Sequence, residues 1–109
     1  MRKTQELKTW PESFQALFTG LKSFEFRKND RDFKVGDQLT LLEWDNDLKD
    51  YTGRWVRGWV VFMLKSGFGL PDDYVVMQLT KISTHVELLL WQEYLERKTK
   101  QNHDSTSQI

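Results

Sequence analysis

The residues of this sequence best suited to chemistry lie between Gly20 and Asp30, in the stretch "GLKSFEFRKND". Lys22, Glu25 and Arg27 place two cations beside one carboxylate. Such a group can hold an anion, or it can keep the carboxylate ionised as a hydrogen-bond acceptor or general base. We therefore take this stretch as the first candidate for a functional site.

The positions of these charges depend on the element that carries them. From Ser23 the apolar period changes from about 3.6 residues to 2, which predicts a strand. Phe24 and Phe26 then share one face, and Ser23, Glu25 and Arg27 share the other. We predict that the two phenylalanines anchor the strand in the core and that the charged side chains project together from the other face. The alternative is the ion-paired outer face of an ordinary strand, which contributes little to stability.

The segment before this strand predicts a helix. Pro11 suits a first helical turn, Thr9 and Glu12 have the spacing of a capping box, and Gly20 can supply a left-handed exit. Apolar residues follow at helical spacing: Phe14, Leu17, Phe18 and Leu21.

Four further strands and one more helix are predicted along the chain. The strands are Gln5–Thr9, Gln38–Asp45 with a bulge near Leu41, Arg54–Leu64 and Tyr74–Ile82, and the helix runs from about His85 to Lys98. The inward residues of the long strand are predicted to be Val56, Val60, Phe62 and Leu64. This order predicts an α+β, mostly β fold: a small curled antiparallel sheet or barrel, an N-terminal helix closing one opening, and an added C-terminal helix. We expect residues 1–82 to form the barrel domain, 83–99 the C-terminal helix and 100–109 a disordered tail.

The composition excludes several classes of protein. Sixteen basic and sixteen acidic residues balance within 109, so no global field attracts a polyanion. The absence of cysteine excludes disulfides and thiolate chemistry. No apolar run is long enough to cross a bilayer, and the N-terminus lacks the apolar region of a signal peptide. We expect a cytoplasmic protein without a membrane partner.

Enzyme motifs with a nucleophile elbow, a phosphate loop or zinc ligands do not occur. His85 lies at a predicted helix start and His103 in the tail, so neither suits a general base or a metal site. We predict no metal and no cofactor. A second candidate surface is Trp55, Arg57 and Trp59, which could stack on unpaired bases or could pack beneath a helix.

Taken together, these residues resemble a family of small phage and bacterial domains of unknown function, DUF3850, which belongs with the ASCH domains of the PUA-like superfamily. The resemblance runs from about Glu6 to Leu79 and is carried by "LKTWP", by Gly20-x-Lys22-x-x-Glu25-x-Arg27, by "NDRDF" and by "VGD". It implies a small β-barrel closed by a helix and a module that binds RNA or a nucleotide in a cleft beside the Gly20–Arg27 segment. The site residues carried over by position, with Ser23 added from its strand face, are Lys8, Trp10, Lys22, Ser23, Glu25, Arg27, Asn29 and Arg31.

The resemblance also implies an alternative, because one ASCH branch removes acetyl groups from acetylated cytidine with a Thr nucleophile and a nearby Lys. Lys22 matches that Lys, but Glu25 stands at the Thr position and Ser23 lies one strand repeat away. A hydrolase reading would use Lys22 and Glu25 as an acid–base pair. A third hypothesis is an adaptor whose C-terminal helix presents Leu89, Trp91 and Leu95 to a protein partner or a second copy.

Overall fold

The computed structural model describes residues 3–65, 67 and 69–107, with side chains described as far as residue 101. Five strands and two helices follow one another: β1 (Thr4–Thr9), α1 (Pro11–Phe18), β2 (Phe24–Lys28), β3 (Gln38–Asp45), β4 (Asp50–Leu64), β5 (Tyr74–Val86) and α2 (Leu88–Ser107). The prediction of a mostly β, α+β barrel-like fold with two helices is confirmed.

The strands form one curled sheet in the order β1-β3-β4-β5-β2, a half-barrel with β1 and β2 at its two edges. The β3–β4, β4–β5 and β5–β2 pairs are antiparallel. The β1–β3 pair is parallel, unlike the antiparallel pairing predicted throughout. Parallel pairing is possible there because α1 and β2 intervene and carry the chain back to the starting end of the sheet.

The core lies on the concave side of the sheet beneath α1. Phe14 and Leu17 of α1 are fully buried against strand residues that include Leu39, Leu41 and Val56. The predicted capping box does not form. Thr9 is still the last residue of β1, where its hydroxyl donates to the carbonyl of Leu7, and α1 begins without a side-chain cap.

The prediction for the two faces of β2 is wrong. Glu25 is 2% exposed, whereas Phe24 and Phe26 are 43% and 47% exposed. A period of two places the charges and the rings on opposite faces but does not say which face turns inward. Here the inner side of this edge strand meets the polar N-terminal end of α1. The cations Lys22 and Arg27 compensate the carboxylate of Glu25 there, and the two phenylalanine rings lie on the convex surface.

The long strands β4 and β5 contain bulges that change which residues face inward. Their register shifts between Arg57 and Trp59 and again between Val60 and Phe62. Val56 and Val60 are buried as predicted, but Phe62 is 61% exposed because the second shift turns it to the convex face. The β3 bulge lies between Leu42 and Trp44, close to its predicted position.

Both C-terminal elements end later than predicted, and α2 also begins later, at Leu88. β5 continues to Val86, so the predicted boundary at residue 82 falls within this strand. Glu87 caps α2 by accepting from the amide of Leu90 at 2.8 Å. The helical backbone runs on to Ser107, through part of the predicted tail, and residues 108–109 lie outside the described residues. Within the described residues, no helix is long and apolar enough to cross a membrane.

Candidate functional site

A cleft of about 320 Å³ opens where the end of β1, the start of α1 and the inner side of β2 meet. We call it the β2 cleft. Its lining residues are Lys8, Thr9, Trp10, Ser13, Glu25, Phe26, Arg27, Lys28 and Tyr74. Four of the residues singled out from the sequence, Lys8, Trp10, Glu25 and Arg27, therefore meet at one place.

Glu25 is the buried charge at the centre of the β2 cleft. Its Oε2 accepts a hydrogen bond from Nε of Arg27 at 2.8 Å. Its Oε1 lies 3.5 Å from Nζ of Lys22, an ionic contact that does not qualify as a hydrogen bond. Among the residues the structure describes, Oε1 is the one buried side-chain polar atom that accepts no hydrogen bond. The ionic contact with Lys22 compensates the charge of Oε1 but leaves its capacity to accept a hydrogen bond unused.

Arg27 joins the two edges of the half-barrel. Its Nη2 donates to the carbonyl of Lys8 at 3.0 Å and to the hydroxyl of Thr9 at 2.9 Å, both at the end of β1. The same guanidinium thus holds Glu25 and bridges β2 to β1, where no strand ladder forms. Its side chain is 23% exposed, so one side of the group still faces solvent.

Lys22 also contacts a residue that the sequence did not indicate. Its Nζ donates to Oγ of Ser13 at 2.6 Å. Ser13 follows Pro11 in the first turn of α1, and Gly20, with φ of +81°, lets the chain turn back so that Lys22 reaches it. No local pattern marks Ser13, because the contact depends on how α1 lies against β2.

Aromatic rings form two walls of the β2 cleft. Trp10 is 53% exposed at the start of α1. Phe26 stacks on Tyr74 with ring centres 5.3 Å apart. The sequence did not indicate Tyr74 as a site residue, because only the β2–β5 pairing places it there. Lys8 lies over the ring of Trp44 at 3.8 Å, so its ammonium is held at the cleft rim.

The remaining sequence candidates lie away from the cleft lining. The hydroxyl of Ser23 accepts from the side-chain amide of Gln78, and the Asn29 side chain accepts from the amide of Phe33 and fixes a turn. Arg31 donates to the carbonyl of Glu6, so it is a second guanidinium that bridges to β1.

The second candidate surface and His85 also lie elsewhere. Trp55 stacks flat on His85 at 5.2 Å, and the ring of His85 contacts the hydroxyl of Ser83. The described residues contain no group of three His, Cys, Asp or Glu side chains that could hold a metal.

A second polar cluster lies next to the β2 cleft, and Trp10 lines both. This neighbouring cleft of about 400 Å³ also contains Asp45, Tyr94 and Lys98. Asp45 accepts from the hydroxyl of Tyr94 at 2.8 Å and from Lys98 at 3.0 Å, and from the backbone amides of Asp47 and Leu48. Its carboxylate is therefore already fully bonded, unlike that of Glu25.

These contacts shift the acidities of the second cluster. Burial alone would raise the pKa of Asp45, but the hydrogen bonds from Leu48, Lys98 and Tyr94 outweigh it and lower that pKa to about 2. Burial and the bond to Asp45 raise the pKa of Tyr94, and the Asp45 bond raises that of Lys98. The cluster is thus a charged anchor that joins α2 to β3.

The chain matches a known protein family. Residues 4–79 match a family described as a domain of unknown function, DUF3850, over more than half of the chain. The protein belongs to the DUF3850 family. The chain is also similar to a protein from Escherichia phage P2, which is described as an uncharacterized 12.9 kDa protein in the GpA 3′ region. It is 35% identical over 77 residues, which cover 71% of this chain and 68% of the phage protein. The DUF3850 match includes β1, α1 and β2, and hence every element that builds the β2 cleft, but it excludes α2.

Proposed function

We propose that this DUF3850 protein is a noncatalytic binding module for RNA or for a nucleotide, of the ASCH and PUA-like type, and that the β2 cleft is its site. The observation that carries the proposal is Oε1 of Glu25, a buried acceptor without a hydrogen bond in a cleft bounded by rings and cations. An exocyclic base amine is a donor from which such an oxygen can accept a hydrogen bond.

The surrounding groups suit the other parts of a nucleotide. Trp10 is exposed enough to stack on a base. Lys8 and Lys28 line the same cleft and can contact the phosphate of that nucleotide. The cleft is small and the whole chain has no net charge. We therefore expect recognition of one or a few unpaired nucleotides, with a weak dependence on salt, in preference to a long duplex.

The test is an amide NMR titration of the labelled protein with cytidine 5′-monophosphate and then with a three-nucleotide single-stranded RNA. Shifts confined to residues 8–13 and 25–28 are expected, together with the indole signal of Trp10. Trp10→Ala should weaken binding about 5- to 100-fold, the range of one base–aromatic stack. Leu21→Ala, which alters an 86% exposed leucine outside the cleft, is the matched control. Unchanged spectra with both ligands would overturn the proposal.

A second candidate is a hydrolase for acylated nucleosides, and the 2.6 Å contact between Lys22 and Ser13 favours it. Ser13 Oγ would attack the acyl carbon, its proton would pass to Lys22 and then to the departing amine, and water would release the acid. This requires Lys22 as a neutral amine. In the structure the hydrogen bond runs from Lys22 to Ser13, opposite to the direction that a general base requires, and Lys22 also contacts the carboxylate of Glu25, so we place binding first.

Chromatography of N4-acetylcytidine incubated with the protein distinguishes the two functions. Release of cytidine and acetate that Ser13→Ala and Lys22→Met both abolish, with binding retained, would establish the hydrolase. No turnover, together with NMR shifts at the β2 cleft, is the result we expect for a binding module.

A further inference from the structure

Three phenylalanines are exposed together on the convex face of the sheet. Phe24 and Phe26 of β2 and Phe62 of β4 are 43%, 47% and 61% exposed. With Tyr74, on which Phe26 stacks, they form a surface that we call the aromatic platform. Phe26 and Tyr74 also line the β2 cleft, so the platform begins where the cleft ends.

The strand register spaces these rings regularly. Phe24 and Phe62 pair with the same residue of β5, Gln78, from opposite sides, and Phe26 pairs with Val76 one row further along. Adjacent strands lie about 4.8 Å apart and alternate residues about 7 Å apart. The backbones of Phe24 and Phe62 are therefore roughly 10 Å apart, and those of Phe24 and Phe26 roughly 7 Å apart. Sheets that recognise single-stranded RNA present aromatic rings in this way, and each ring stacks on one base.

The charges around the platform favour a polyanion over an apolar protein partner. Nζ of Lys22 lies 5.3 Å from the centre of the Phe24 ring. Lys28 pairs with Tyr74 at one end, and Lys65 follows the last residue of β4. Within the described part of the chain, neither the side chain of Lys28 nor that of Lys65 forms a hydrogen bond or an ion pair. The residues between the rings, Gln78 and Val76, carry no negative charge.

We propose that the aromatic platform stacks on unpaired bases of a single-stranded RNA whose neighbouring nucleotide occupies the β2 cleft. The proposal rests on the proposed function and extends it, because it names single-stranded RNA longer than the cleft itself as the ligand. Lys28, at the border between cleft and platform, contacts the phosphate that joins the two parts.

The test compares fluorescence anisotropy of a three-nucleotide and an eight-nucleotide single-stranded RNA of mixed sequence. The wild-type protein should bind the longer RNA more tightly. Phe24→Ala and Phe62→Ala, neither of which lines the cleft, should each weaken binding of the longer RNA about 5- to 100-fold and leave the shorter one unaffected. Phe24→Leu and Phe62→Leu keep the side chain apolar but remove the ring, and should show the same loss. Val61→Ala, on the same strand and 48% exposed, is the matched control.

The outcomes separate the two proposals. If the platform variants bind the longer RNA as the wild type does, or if a duplex of the same sequence binds equally well, the platform proposal is overturned and the cleft stands. If leucine restores what alanine loses, the rings pack and do not stack, which also overturns it. If the wild-type protein binds neither RNA, both proposals fall.

Discussion

Glu25 is tolerated in the interior because two cations lie on either side of its carboxylate. Arg27 contacts Oε2 at 2.8 Å, and Lys22 lies 3.5 Å from Oε1. Both cations are partly exposed, so they are more easily solvated than the carboxylate, whose side chain is 3% exposed. Burial of an ion pair stabilises a protein little, but removal of one partner leaves the other charge without compensation.

Glu25→Gln should therefore destabilise the fold although it preserves the shape of the side chain. We expect the free energy of unfolding to fall by about 2 kcal/mol, below the range for fully buried pairs because Lys22 and Arg27 reach solvent. Urea denaturation followed by tryptophan fluorescence measures the loss. The matched control is Glu12→Gln at an exposed position of α1, which should change stability by less than about 0.5 kcal/mol. Equal stability of the two variants would show that the Glu25 ion pairs contribute nothing.

Asp45 should make the free energy of unfolding depend on pH in the acidic range. Its pKa is about 2 in the folded protein against 3.8 for a free side chain, so the folded state favours the ionised form. The resulting stabilisation, about 2 kcal/mol, is present above pH 4 and is lost as the pH falls to about 2. Denaturation at a series of pH values should show this loss in the wild type and a flatter curve in Asp45→Asn. Asp47→Asn, at a mostly exposed carboxylate, should keep the wild-type slope.

At the scale of elements, α2 docks on β4 at a point that only glycine allows. Gly53 has φ of +99°, and a Cβ there would lie 2.8 Å from Cβ of Leu90 and 2.8 Å from the backbone nitrogen of Trp91. The same turn of α2 places the ring of Trp91 4.5 Å from the guanidinium of Arg54. Arg54 in turn makes a buried two-bond ion pair with Glu43 of β3. The approach of α2 thus depends on one residue without a side chain.

Gly53→Ala should displace α2 and lower the free energy of unfolding by about 3 kcal/mol, the sum of backbone strain and a clash with backbone atoms. Gly20→Ala separates these causes, because Gly20 also has a positive φ but has no atom within 4 Å of a built Cβ. It should cost only about 1 kcal/mol. Thermal unfolding of both variants measures the difference. Equal losses of stability in the two variants would mean that contact with α2 does not restrict the size of the side chain at position 53.

The whole molecule is elongated. Its radius of gyration is 16.1 Å and its longest dimension 50 Å, whereas a compact chain of this length has a radius of about 13 Å. The 15-residue strand β4, its partner β5 and the 20-residue α2 account for this shape. The exposed side chains of α2 include Leu88, Leu89 and Leu95. An interface with a second copy or another protein along this helix remains a prediction.

Because β5 and α2 continue beyond the family match, we predict that the matched segment is not a sufficient folding unit. A chain ending at Ile82 lacks the residues that pair with Arg54–Arg57, as well as Trp91 and Tyr94. It should lose the dispersed amide NMR spectrum of a folded protein. A chain ending at Glu87 retains all of β5 and should keep more of this dispersion at reduced stability. A well-dispersed, equally stable spectrum for the shorter chain would contradict the prediction.

The sequence alone determined the class of fold, because periodicity and turn residues are local properties. It predicted α1 and the longer strands from their apolar spacing. It also brought Glu25 and Arg27 together as alternate residues of one strand, with Lys22 just before that strand. Only the tertiary structure decided which face of β2 turns inward, since alternation is symmetric between two faces and the choice depends on what lies opposite. For the same reason Ser13 and Tyr74 became site residues only through the placement of α1 and the β2–β5 register. The bulges that expose Phe62 also arise from pairing between distant segments, which no local pattern encodes.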